Sequence, residues 1–265
     1  MRRLMAILAF LAAASSFGQT VDLGESSAYI RFGFLPRWIQ APPGASDAAW
    51  VVVPPAEGAG RTLRMRDFKV LFAPAGGKWD LLPGKAVDFT VLLPFSADLQ
   101  LLNATDPALY LAHVGQAWEV YLNGNLLRSE MKPSLSGGYV QRSLRGVIVP
   151  LDKRYIKRGQ NLLAFRINGD PADDRTGFNL QGPYRIDSYR NLAARNREYI
   201  DLMLIGIYMF FALYHLLLFA LRPQARGYFF FGMSALLLAL YQGARTLFIT
   251  TIIMDSAALV RIEYA

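Results

Sequence analysis

Residues 199–221 form an apolar run whose only charge is Asp201, close to its start. Wound as an α-helix at 1.5 Å per residue, this run is about 35 Å long, enough to cross a hydrocarbon core near 30 Å with some tilt. A soluble core helix of that length keeps one polar stripe. Here Leu202, Leu204, Ile205, Ile207, Met209, Phe210, Phe211 and Leu213 cover every face. The run reads as a transmembrane helix.

A second span is expected over residues 227–253, after the short loop Arg222-Pro223-Gln224-Ala225-Arg226. So short a connection makes the two helices antiparallel neighbours. Gly232, Ser234, Ala235 and Ala239 recur along the second run and let another helix approach closely. Residues 257–265 read as the opening of a third helix, so the bundle is expected to continue past Ala265.

The other apolar concentration lies at the N-terminus. Arg2 and Arg3 precede a short apolar run and then Ser15, Ser16 and Gly18, the pattern of a secretory signal peptide over residues 1–19. Export places residues 20–198 outside the cytoplasm and the loop at 222–226 inside, in line with the positive-inside rule. Arg190, Arg195 and Arg197 argue for the opposite orientation by charge count, but large exported domains translocate largely regardless of charge. Without Arg2 and Arg3 the net charge falls from +8 to +6, a mild excess concentrated near the membrane and not a nucleic-acid footprint. The chain has no cysteine and two histidines, which rules out lipoprotein anchoring, disulfides, Cys/His catalysis and the usual zinc sites. No cofactor motif is present.

Residues 20–186 read as all-β. Short apolar or alternating runs at 29–34, 49–53, 68–72, 87–93, 109–114, 118–122, 147–151 and 162–167 are separated by Pro and Gly, with no convincing helix between them. Trp118, Val120 and Leu122 share one face of a strand. Asn123-Gly124 then supplies a tight turn, and Asn125-Leu126-Leu127 begins the return. The expected fold is an extracytoplasmic β-sandwich followed by an α-helical transmembrane region, joined by a polar, Arg-rich hinge at 187–198.

The segment Tyr110-Leu111-Ala112-His113-Val114-Gly115, then Trp118-Glu119-Val120-Tyr121-Leu122-Asn123-Gly124, resembles jelly-roll, galactose-binding-like sugar modules found beside glycosidase domains. So does Gly159-Gln160-Asn161-Leu162-Leu163-Ala164-Phe165-Arg166-Ile167. The whole arrangement resembles the bacterial seven-transmembrane receptors with diverse intracellular signalling modules. That likeness is carried by Gly182-Pro183-Tyr184, by Tyr208-Met209-Phe210-Phe211-Ala212-Leu213-Tyr214-His215, by Tyr228-Phe229-Phe230-Phe231-Gly232 and by Arg261-Ile262-Glu263-Tyr264. It implies a location in the bacterial inner membrane, with residues 20–198 periplasmic, and five further helices and a cytoplasmic output enzyme downstream.

Candidate site residues are few. Asp170, Asp173 and Asp174 with Arg175 could form a calcium loop, although such a cluster is more often a solvated turn. Trp38, Trp50, Trp79 and Trp118, with Tyr139 beside Gly137-Gly138, are the candidates for a sugar platform, although each more often serves core or sheet packing. Trp118 shares a face with Val120 and Leu122 and is assigned to the core, and Trp79, in a Gly-Gly-Lys-Trp-Asp turn, is the better exposed candidate. His113 reads as a satisfied strand histidine. Within the spans, His215 is open to packing or signalling roles, and Arg245 to an anchoring or gating role. No phosphate loop, serine triad or paired acid/base motif is present.

The expected function is sensory. The exported domain detects a small-molecule or carbohydrate ligand and transmits through the helices to a cytoplasmic module, this segment itself not being an enzyme. Its partners are membrane lipid, its own further helices and output domain, and a homodimer is compatible with this organisation. The alternative is a membrane-anchored carbohydrate-binding or assembly module of an envelope enzyme or transporter.

Overall fold

The computed structural model describes residues 20–44, 47–55, 61–68, 85–135, 137–195 and 198–252. In chain order the strands are β1 (Val21–Asp22), β2 (Ala28–Phe32), β3 (Val51–Val53), β4 (Leu63–Arg64), β5 (Val87–Ala97), β6 (Pro107–Gly115), β7 (Ala117–Leu122), β8 (Asn125–Ser129), β9 (Leu144–Pro150), β10 (Gly159–Gly169), β11 (Gly177–Phe178) and β12 (Tyr184–Ser188). The α-helices are α1 (Met65–Phe68), α2 (Leu99–Asn103), α3 (Tyr189–Arg195), α4 (Glu198–Leu221), α5 (Arg226–Ala244) and α6 (Leu247–Ile252).

Two antiparallel sheets enclose one core. The first runs β1-β12-β6-β11-β4, with β9 on the other edge of β6. β12 pairs along the first half of β6, and β11 takes over at Val114 and Gly115. The second runs β3-β2-β5-β10-β7-β8, with β5 and β10 paired over their full lengths.

Alternation builds the core. Phe89, Val91, Leu93 and Phe95 of β5 point inward with Leu163, Phe165 and Ile167 of β10 and Trp118, Val120 and Leu122 of β7. Leu109, Leu111, Val147, Val149, Phe178 and Ile186 oppose them from the first sheet. The Phe178 ring meets Phe165 across the sheets and Tyr184 within its own sheet, both edge-on at 4.9 Å. Each large apolar side chain buried here contributes about 1.5–3 kcal/mol.

The second sheet is covered on its outer face as well. Ile39, Trp50, Leu92, Leu162 and Ala164 form a separate cluster, flanked by Tyr29, Phe34, Trp38 and Tyr121. Burial on both faces explains why Val91, Leu92 and Leu93 are apolar in succession instead of alternating. Trp38 and Trp50 pack edge to face at 5.3 Å and Trp118 is fully buried, so all three serve packing.

Several elements differ from the sequence expectation. Phe68, expected to open a strand at 68–72, ends α1, and the rest of that strand lies outside the described residues. The two-residue strands β1, β4 and β11 are too short to produce a periodic signal. Two residues of the expected hinge, Asp187 and Ser188, belong to β12, paired with Ala108 and Pro107. Asp187 is buried and its carboxylate accepts from Ser188 N, Asn191 Nδ2 and Thr20 Oγ1. Tyr189 N donates to Asp106 O and Arg190 N to the Asp106 carboxylate, while Leu192 is buried, so α3 is clamped to the sandwich.

α4 and α5 form an antiparallel helical hairpin. α4 has 24 residues and α5 has 19, about 36 Å and 28 Å as helices. Both are long and apolar enough to cross a membrane. The span expected at 227–253 is broken: α5 stops at Ala244, Arg245 caps it, and α6 begins at Leu247. The hairpin crosses where small residues permit it. A Cβ on Gly232 would lie 2.8 Å from Leu216 Cγ and 3.2 Å from Ala212 O. The signal segment 1–19 and the third-helix segment 257–265 lie outside the described residues.

Candidate functional site

Where β1, β4, β11 and β12 approach the inner face of β5, a cleft of about 350 Å³ opens between the sheets. Buried Leu63, Leu93, Phe178 and Tyr184 make its floor, and Asp22, Arg61, Gln181 and Pro183 its rim. The floor exists because of one glycine. Gly177 has φ +111°, and a Cβ there would run into the carbonyl oxygen of Leu63, so only glycine allows β11 to lie against β4. Tyr184 is fixed through its hydroxyl, 2.9 Å from the carbonyls of both His113 and Leu180. Burial holds that phenol protonated well above its ordinary range.

Arg61 brings a guanidinium to the cleft. Nη1 donates to Val53 O (3.2 Å) and Pro54 O (2.9 Å), and Nη2 to Leu23 O (3.3 Å). Three of the five guanidinium N–H groups are thereby used on backbone carbonyls. No carboxylate among the described residues lies within ion-pair distance. Burial lowers the pKa, and the field of Asp22 opposes it. Asp22 Oδ1 accepts from Gly24 N at 2.8 Å, which shapes the turn at the rim. Among the described residues of the lining, Asp22 is the one carboxylate, and none is a histidine or a serine. The arrangement is suited to holding a ligand.

His113 lies behind this wall on β6, paired in register with Arg145. It is buried, and the side chain of Asn179 is the hydrogen-bonding group beside its ring. Burial first, then the charges of Arg145 and Arg175, lower its pKa to about 3, so the ring is neutral near pH 7.

Asp170, Asp173, Asp174 and Arg175 come together in one turn, away from the cleft. Asp170 Oδ1 accepts from Ala172 N, and Asp170 O from Thr176 Oγ1. Asp173 pairs with Arg175 and accepts from Gln116 Nε2 at 2.8 Å, while Asp174 pairs with Arg66. Arginine and amide partners occupy these carboxylates, which is the turn reading of the cluster. No metal-holding group of His, Asp or Glu occurs among the described residues.

Tyr139 is half-buried, bridged to Pro133, and faces the charge network on the outer side of the second sheet. There Arg166 bonds Asp88 at 3.0 Å and its guanidinium lies 4.7 Å from the Phe34 ring. Burial disfavours the Arg166 charge, but Asp88, Tyr139 and Glu119 together hold its pKa above the ordinary value. Trp79 lies outside the described residues.

In the hairpin, His215 is stacked between Tyr228 (5.9 Å) and Phe231 (5.7 Å) of α5 and Phe211 of its own helix. Arg245 donates to Tyr241 Oη at 2.7 Å and sits over that ring at the end of α5. Asp201 accepts from Gln242 Nε2 at 2.7 Å, joining the two helices at the same end of the hairpin.

Among the described candidate site residues, none of Tyr139, Asp170, Asp173, Asp174, Arg175, His215 and Arg245 lines the cleft. Asp22, Arg61 and the segment holding Gln181 and Tyr184 come from three distant stretches and meet only in the fold. The one local signal was Gly182-Pro183-Tyr184, a turn followed by an aromatic residue.

Fold and site together define an antiparallel β-sandwich with an inter-sheet cleft, continued by a helical hairpin of membrane-spanning length. No family model matches the sequence, and no curated protein matches it. Among solved structures it is similar to a glycosyl hydrolase family 2 member from Bacteroides cellulosilyticus, with 11% identity, a TM-score of 0.40, and coverage of 62% of this chain and 20% of that one. It is also similar to a β-D-mannosidase from Dictyoglomus thermophilum (12% identity, TM-score 0.36, coverage 56% and 15%). A third is a β-glucuronidase from Bifidobacterium dentium (16%, 0.38, 57% and 20%). The chain thus spans a fifth or less of those proteins. Likenesses this distant leave the activities of those enzymes with those enzymes.

Proposed function

We propose that the chain is the sensory portion of a bacterial membrane signal-transduction protein. Its sandwich faces the periplasm, the α4–α5 hairpin crosses the inner membrane, and the helices pass a ligand-induced bias to a cytoplasmic output module.

One observation carries the reading. The hairpin turns its largest apolar side chains outward: Phe210, Leu213, Leu217, Phe230, Phe231 and Leu237 are each more than half exposed. In water every one of them forgoes about 1.5–3 kcal/mol of burial, whereas lipid removes that cost. The clamp on α3 supplies the mechanical half, because a ligand-driven shift in the sandwich reaches Arg195 through Asp187, Asp106 and Leu192.

Reporter fusions test the location. Alkaline phosphatase joined after Arg195 should be active and joined after Gln224 inactive; the reverse pattern contradicts the reading. In the full-length gene product, four Gly-Ser residues inserted after Arg195 should uncouple ligand from output, and unaltered signalling there contradicts the transmission route.

A further inference from the structure

The cleft gathers polar groups that the protein leaves uncommitted. Two of the five Arg61 N–H groups remain after its three carbonyl bonds. The second carboxylate oxygen of Asp22 and the side-chain amide of Gln181 have no protein partner among the described residues. All three groups stand on the rim of one cleft above an apolar floor. Its size, about 350 Å³, lies in the range of small-molecule sites.

We propose that this cleft binds a small polyhydroxylated carboxylate, with the carboxylate on Arg61 and the hydroxyls on Asp22 and Gln181. The proposal rests on the reading of the sandwich as the sensing domain and names the chemistry of what it senses. A guanidinium with two N–H groups to spare matches a planar carboxylate, and the pairing is strongest where water is partly excluded. Asp22 sets the permitted charge. Its field already acts on Arg61, so a monoanion is accepted and a phosphate dianion is opposed. Asp22 also accepts from hydroxyl groups, which selects a hydroxylated body over an aliphatic one. The rings of Phe178 and Tyr184 receive the C–H face.

Isothermal titration of the full chain in detergent tests this with three matched probes: sodium gluconate, sorbitol and sorbitol 6-phosphate. Gluconate should bind at least about tenfold more tightly than sorbitol, the value of one charge-assisted bidentate contact. Arg61→Gln should erase that preference. Because Arg61 also holds three carbonyls, two rim variants make an independent test. Gln181→Leu should weaken gluconate severalfold, and Asp22→Asn, which can keep the bond from Gly24, should raise the affinity for sorbitol 6-phosphate to that of gluconate or above. Equal affinity for gluconate and sorbitol, no gluconate binding by the folded chain, or phosphate binding indifferent to Asp22→Asn overturns the proposal. Failure here with an active phosphatase fusion after Arg195 removes the ligand and keeps the sensory reading. Gluconate binding with an inactive fusion does the reverse.

Discussion

Asn123 donates from Nδ2 to Asn161 Oδ1 across 2.8 Å, and this one contact ties together the two segments that end and begin neighbouring strands. Asn123 also donates to Tyr155 O and accepts from Leu162 N. Asn161 accepts from Lys157 N and donates to the carbonyls of Lys157 and Gly159. Asn123 has φ +50° and Gly124 φ +85°, so the tight turn after β7 and the entry to β10 are locked as one unit.

Asn161→Ala strands several of these groups in a site only 3% exposed. Each buried group left unsatisfied costs about 1–3 kcal/mol, and the losses are not additive, so the variant should be about 2–4 kcal/mol less stable. Asn125→Ala, in the exposed return strand, should stay within about 0.5 kcal/mol. Thermal melts followed by near-UV circular dichroism compare the two.

Gly177→Ala should cost about 2 kcal/mol or more, because the added methyl meets Leu63 O at a left-handed φ. The loss is local to the β4–β11 pair. Amide exchange should therefore speed up at Leu63 and Phe178 more than at Leu163 or Val120.

His113 makes the sandwich sensitive to acid. Its pKa is near 6.5 unfolded and about 3 folded, so below pH 6.5 the unfolded chain takes up a proton that the native chain refuses. Stability is full above pH 6.5 and falls progressively as pH drops toward 3. Between pH 7.5 and pH 5 this residue alone should remove about 2 kcal/mol. His113→Gln should flatten that part of the unfolding profile, and an unchanged slope would show that the loss arises elsewhere.

The helical hairpin depends on close approach. Gly232→Leu places a side chain where Leu216 and Ala212 already sit, and it should force the helices apart. A disulfide between Asp201→Cys and Gln242→Cys, which replace the hydrogen-bonded pair, should form readily with Gly232 and poorly with the leucine variant.

The strands most legible in the sequence were those with a long inward-facing row. Trp118, Val120 and Leu122 announced β7, and Asn123-Gly124 announced the hairpin, because local backbone preference and burial agree there. β4 and β11 could not be read, since two residues make no period and Gly177 acquires its meaning only from Leu63. The acidic turn was visible as a cluster, but its character was not: Arg66 and Gln116, which satisfy Asp174 and Asp173, lie far away in sequence. Arg61 follows a stretch of small residues with nothing nearby to distinguish it from a solvated arginine. The break at Arg245 and Thr246 was hidden by the apolar residues on both sides of it.

A membrane-spanning hairpin needs lipid over the outward face of α4 and α5. Membranes from bacteria expressing the chain, stripped with alkaline carbonate and sedimented, give the direct measurement. The protein should remain wholly in the pellet and enter solution only with detergent. Recovery of folded protein in the carbonate supernatant would contradict the account.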